Sequence, residues 1–187
     1  NTDNFIYKFI KGETDYSLGV YETSLFLPEY EQRNSTVWEQ VLNLTIPEKR
    51  KIINALVTNY RPENRIYRYN FVYDNCATRP RDKILYNIDG HVIIPKLPEP
   101  KTFRQWVGVY VGNDSWTKFG IDILLGKEAD KVATEYECMF LPEVMMSQLQ
   151  LATIITNNKH QRNLVSDRNV LVNSTPVPEQ KLKIRDM

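Results

Sequence analysis

The side chains best suited to chemistry are concentrated in YNFVYDNCATRPRDKIL, residues 69–85. A thiol is a useful nucleophile once it loses its proton, and a helix amino terminus or nearby cations favour the anion. Thr78-Arg79-Pro80 has the composition of a helix start, so Cys76 is expected at that start or one turn before it, with Arg79 and Arg81 close behind. There its backbone N–H and those of its neighbours are placed to cradle an oxyanion. Asn75 is suited to hold the turn through its side chain, and Asp82 to pair with Arg79 or Arg81. Asp74 and Thr78 flank the cysteine as supporting residues, and Tyr73 is a substrate-binding candidate. The competing reading is bland: a cysteine at such a junction is a small buried hydrophobe, and the arginines are a solvated face.

A thiol nucleophile needs a base. The chain offers two histidines. His91 follows Asp89-Gly90 in a turn leading into a strand, and His160 lies in the polar stretch 157–162. Both have the surroundings of surface residues. His91 is the better candidate, because papain-like sites set a strand-borne imidazole beside a helix-borne thiol. Asp122 and Asp130 without a histidine or a Gly-rich loop make a poor metal site, so neither a metal nor a cofactor is expected.

Composition narrows the partners. Lys and Arg number 24 against 23 acids, a formal charge of +1, without the basic excess of a nucleic-acid binder. With 42% hydrophobic residues the chain can bury a core. Its 11 Tyr, 7 Phe and 3 Trp are rings that bury much area and often line a groove. No stretch reaches the ~20 apolar residues of a membrane helix. The chain opens without a start Met or signal peptide and reads as a fragment trimmed at its amino terminus. Two distant cysteines, Cys76 and Cys138, do not make a disulfide framework.

The elements that must position these residues read as α+β. Residues 4–11 have helical spacing, closed by Gly12. Residues 14–23 and 33–44 read as strands. Thr45, Pro47 and Glu48 form a capped helix start, and the helix places Ile52, Ile53, Leu56, Val57 and Tyr60 on one face. Residues 65–73 look extended and deliver the chain to Cys76. A short strand over 92–94 sits in a Pro-rich connection, and Thr102 with Gln105 opens a helix through Val111. Helices are expected over 115–125, 127–137 and 142–156. One domain is expected over 1–173, with a polar linker tail over 174–187.

In order along the chain, NFIYKFIKGETDYSL, VLNLT with its helix, YNFVYDNCATRPRD, TFRQW, W-x-x-FGIDILLG-x-x-x-D and FLP resemble the periplasmic domain of Lnb-type lipoprotein intramolecular transacylases, over roughly residues 4–165. The resemblance implies a circularly permuted papain-like (NlpC-type) thiol fold with extra helices, at the outer face of the bacterial inner membrane. It implies a membrane-helix bundle after the domain, and acyl transfer on lipoprotein or phospholipid chains through a thioester on Cys76. It places the catalytic histidine in a Gly-His strand upstream of the segment matching Asn4. Arg104 becomes a ligand for a lipid phosphate or carboxylate, or a brace for Asp122. A cysteine peptidase or amidase acting on cell-wall peptides and a non-catalytic envelope module are the alternative functions.

Overall fold

The computed structural model describes residues 8, 9, 12–111 and 116–175, without the side chains of Trp116, Thr117 and Leu124. Most of the expected helix over 4–11 and of the tail after Asn173 lies outside the described residues, although Lys8 and Phe9 are helical. Strand β1 (Asp15–Ser17) pairs antiparallel with β3 (Ile66–Arg68), Tyr16 opposite Tyr67. Between them come α1 (Thr23–Gln32), β2 (Val37–Leu42) and α2 (Ile46–Tyr60). After β3 follow α3 (Thr78–Leu85), β4 (His91–Ile93), α4 (Phe103–Val111) and α5 (Trp116–Leu125). Two 3-10 turns, Lys127–Asp130 and Glu137–Phe140, lead to α6 (Pro142–Leu151), β5 (Thr153–Ile155), β6 (Gln161–Asn163) and β7 (Val165–Val172). Strands β4, β5 and β6 form one antiparallel sheet, and β2 pairs with β7. The fold is α+β.

Several sequence expectations need correction. The strand expected over 14–23 stops at Ser17, because the Leu18 N–H closes the ladder on the Arg65 carbonyl at 2.9 Å and the chain then turns into α1. The helix expected over 127–137 is broken into two 3-10 turns by an extended stretch in which Thr102 bridges Val132. The helix over 142–156 ends at Leu151; Thr153-Ile154-Ile155 is a β-branched run and pairs with β4 instead. The eight-residue strand β7 has no apolar alternation to announce it.

The core is built late in the chain. Phe103, Val107, Cys138, Met139, Phe140, Leu149, Ile154 and Leu164 are buried together in one cluster. Segments before Tyr69 contribute little to it: α1 buries no residue and α2 buries only Glu48. Besides the β2–β7 ladder, they attach in two ways. A run of rings steps inward from the β1–β3 pair, with Tyr16 on Tyr69 at 4.5 Å, Phe9 on Tyr69 at 4.7 Å, Phe9 to Phe71 at 5.9 Å and Phe71 to Phe140 at 5.9 Å. Such pairs each add roughly 0.5–1.5 kcal/mol beyond the area they bury.

The second attachment is ionic. Thr45 and Glu48 form the expected capping box, but Glu48 is fully buried and does more. Its carboxylate accepts the Thr45 N–H at 2.7 Å, the Asp89 N–H at 2.9 Å and the Arg162 guanidinium at 2.6 and 2.7 Å. One side chain thus ties α2 to the turn before β4 and to β6. That turn needs Gly90: its φ is +128°, and a Cβ there would lie 2.4 Å from the Ile155 carbonyl oxygen.

Burial alone would raise the Glu48 carboxyl, but the hydrogen bonds from Thr45, Asp89 and Arg162 outweigh it and hold the group below the usual glutamate value. A depressed carboxyl stabilises the fold above the unfolded-chain pKa of about 4.3, and that contribution fades as the pH falls through the lower folded value. Glu48→Gln is expected to cost about 3 kcal/mol at neutral pH by leaving Arg162 without its counter-charge. It should also flatten the acid limb of the stability–pH profile, which denaturant titrations across pH will read.

Candidate functional site

Cys76 leaves the β3 segment through a tight turn in which Asn70 and Asp74 exchange backbone hydrogen bonds of 2.9 and 3.1 Å. Asn75, next in line, is buried. Its side-chain oxygen accepts the N–H groups of Ala77 at 2.7 Å and Thr78 at 2.9 Å. Its amide nitrogen donates to the carbonyls of Phe71 at 2.7 Å and Phe140 at 2.9 Å. The Thr78 hydroxyl closes the turn by accepting the Asn75 N–H at 2.7 Å. Asn75 therefore serves as the cap of α3, satisfying donors that a helix start leaves open.

This cap decides which amides remain. The N–H groups of Ala77 and Thr78 go to Asn75 Oδ1, that of Arg79 reaches the Asn75 carbonyl at 3.2 Å, and Pro80 has none. Among the described residues from Asn75 to Arg79, the Cys76 N–H alone has no partner. The expected multi-amide oxyanion cradle thus reduces to one backbone donor, the nucleophile's own.

The thiol itself is exposed. It lies on a cavity of ≈ 310 Å³ between the β1–β3 pair, α2 and α3, walled by Tyr16, Leu18, Leu56, Asn59, Tyr67, Arg79, Pro80 and Lys83. Arg79 lies over the Tyr67 ring at 3.5 Å and makes a two-pronged pair with Asp74, at 2.6 and 2.9 Å. Its charge is thereby matched before any ligand arrives. Lys83 has no partner among the described residues, so it supplies the cavity's unmatched positive charge. Burial, more than the neighbouring charges, raises the Tyr67 and Tyr69 hydroxyls above the usual tyrosine value, so both rings are neutral at physiological pH.

The remaining sequence-singled residues separate from the thiol. Arg81 is buried; it bonds Asp82 at 2.6 Å and the Tyr136 carbonyl at 2.9 Å. Asp82 therefore takes Arg81 and not Arg79, and also accepts the Tyr136 hydroxyl. Tyr73 lies edge-on to Phe103 at 5.8 Å and lines a neighbouring groove that shares Asn59, Arg79 and Lys83 with the thiol cavity. Arg104 is bound by Asp130 at 2.7 Å and by the carbonyls of Asp122 at 2.6 Å and Gly126 at 2.7 Å, the bracing geometry. His91 pairs with Ile155 in the sheet and His160 lies before β6; neither lines the cavity. Among the described residues no group of three His, Cys, Asp or Glu side chains could hold a metal, and no helix is long and apolar enough to cross a membrane.

Sequence reasoning did not single out Tyr16, Leu18, Asn59, Tyr67 or Lys83, and named Leu56 only as part of the apolar face of α2. For Lys83 a signal existed, since it follows Arg79 by one helical turn and shares its face. The others arrive from elements distant in sequence and carry no local sign.

An α+β domain with an exposed thiol before a capped helix, opening on an aromatic cavity, defines the class. Residues 1–106 match the family model of the Lnb N-terminal periplasmic domain, more than half of the 187-residue chain. The chain belongs to that family and is a periplasmic domain of the bacterial envelope. No curated protein and no solved structure matches it. The matched residues end in α4, so the segments at 116–130 and 140–142 that entered the resemblance lie beyond the match.

The two thiols should part cleanly. Cys138 is fully buried, its S–H donates to the Glu135 carbonyl at 3.0 Å, and burial pushes it up to about 12. In the native protein iodoacetamide is expected to modify Cys76 alone, with Cys138 reacting after denaturation, as peptide mass mapping would show. Asn75→Ala is expected to cost about 3 kcal/mol by orphaning buried amides and carbonyls. Asn75→Asp should be no better, because it sets an acceptor against the Phe71 and Phe140 carbonyls; thermal melts of both variants read this.

Proposed function

We propose that this domain carries the nucleophilic thiol of an envelope acyltransferase, in the circularly permuted papain-like arrangement implied by its family. One observation carries the reading: the Cys76 thiol is exposed on the wall of a cavity large enough for part of an acyl chain, beside its own unclaimed N–H. The substrates are lipoprotein or phospholipid acyl chains, and the membrane is reached through a region beyond Met187.

In this reading the Cys76 sulfur, its proton taken by a base, adds to the ester carbonyl of a glycerol-linked acyl chain. The Cys76 N–H donates to the developing oxyanion. The carbon–oxygen bond breaks, the glycerol oxygen takes the proton from the base, and a thioester remains on Cys76. The amino group of the lipoprotein's terminal cysteine then adds to the thioester. Its excess proton goes to the base, the carbon–sulfur bond breaks, and an amide and a free thiol result. The base is an imidazole that precedes Asn1 in the protein, as the resemblance implies. Asn75, Thr78 and the Asp74–Arg79 pair position the nucleophile, and Arg81 with Asp82 anchors α3 behind it.

The test uses the full-length protein in membranes with a diacylated lipoprotein. An acyl group should accumulate on Cys76 and be released by neutral hydroxylamine. Cys76→Ala should lower amide formation by at least about a thousand-fold. Transfer at the parent rate by Cys76→Ala would remove the thioester, and hydrolysis of cell-wall peptides in place of transfer would favour a peptidase.

A further inference from the structure

Helix α2 faces the wrong way for a core helix. Its inward side carries Glu48, Ile52, Ala55 and Asn59, whereas Ile46, Ile53, Val57 and Tyr60 follow the three-, four- and seven-residue spacing of one face. Of the residues that the sequence sets on one face, Ile53, Leu56, Val57 and Tyr60 are 57%, 44%, 57% and 45% exposed, and Ile46 is 67% exposed. Leu56, on the shoulder of this stripe, is also a wall of the Cys76 cavity.

Charge accompanies the stripe. Lys49 and Arg50 sit between Ile46 and Ile53 on the same helical face, and Arg61 and Arg65 follow its end. All four are exposed, and their side chains make no hydrogen bond or ion pair among the described residues. Over residues 46–65 Glu63 is the one exposed acid. An apolar helical face bordered by unmatched cations is the composition of a helix lying in a bilayer interface, with its basic chains at the level of the headgroups.

We propose that the outer face of α2 is a docking surface for an anionic phospholipid bilayer. The apolar side chains enter the headgroup boundary, the unmatched basic residues meet lipid phosphates, and Leu56 brings the mouth of the Cys76 cavity to the acyl region. This surface does not use the thiol, so it stands or falls separately from the acyl-transfer reading.

Co-sedimentation of the purified chain with phosphatidylcholine vesicles, with and without phosphatidylglycerol, tests it. Binding is expected to the anionic vesicles, to weaken with added salt and to be equal for Cys76→Ala. Val57→Glu and Ile53→Glu change exposed positions and should keep the circular dichroism of the parent while losing the vesicles. Replacing Arg61 and Arg65 by Gln should weaken partition about thirtyfold. In Val57→Trp, emission should shift to the blue on anionic vesicles. Partition no greater than that of Val57→Glu would overturn the proposal. So would a lipid-free dimer that Val57→Glu dissolves, since the face would then belong to a second copy.

Discussion

The exposure of Cys76 depends on the burial of its neighbour. Asn75 spends its side-chain amide and its carbonyl oxygen on four backbone groups, from Phe71, Ala77, Thr78 and Phe140. A buried amide so fully satisfied is stiff, because each alternative rotamer leaves polar groups unpaired in a low-dielectric interior. The turn is therefore held from within by a residue that never meets a ligand. Cys76 is left on the outside of it with a free N–H. Since Phe140 lies in the main core, the reactive end of α3 is bolted directly to the best-packed part of the molecule.

That arrangement makes sense of an uneven distribution of burial. The core draws its large residues from Phe103 onward, while the cavity draws its walls from Tyr16, Leu56 and Tyr67. The site lies where the early segments meet α3, whose start Asn75 ties to Phe140 of that core. Beside the β2–β7 ladder, two side-chain devices hold the early segments in place: the rings from Tyr16 to Phe140, and the Glu48 carboxylate that reaches both the Asp89 turn and Arg162. The family match ends at residue 106, yet Phe140 and Arg162 complete the support of matched residues. The matched segment depends on the rest of the chain for its packing.

The cavity and the outer face of α2 share a wall, and this gives the domain a consistent chemical character. Tyr16 and Tyr67 offer aromatic rings, Leu18 and Leu56 offer apolar surface, and Lys83 offers one unmatched cation. Arg79 contributes shape more than charge, being neutralised by Asp74 and stacked on Tyr67. A long apolar chain with an anionic or polar head suits such walls better than a peptide rich in charge.

Local signals were reliable where one stretch of chain settles the outcome. The capping boxes at Thr45 and Thr102, the helix start after Cys76 and the turn at Gly90 were all legible, because each is decided within a few residues by hydrogen bonding and φ preference. The placement of Cys76 before α3 and the α+β class followed from the same signals. Long-range pairing was not legible. Thr153–Ile155 became a strand because β4 and β6 were there to pair with it, and β7 formed against β2 without an apolar alternation of its own. The partners of Arg79, the separation of both histidines from the thiol and the outward turn of the α2 stripe were likewise settled in three dimensions. Sequence determined which residues begin a helix, stop it and carry the sulfur, since those are local free energies; tertiary structure alone decided which surfaces meet, since that depends on groups brought together from far along the chain.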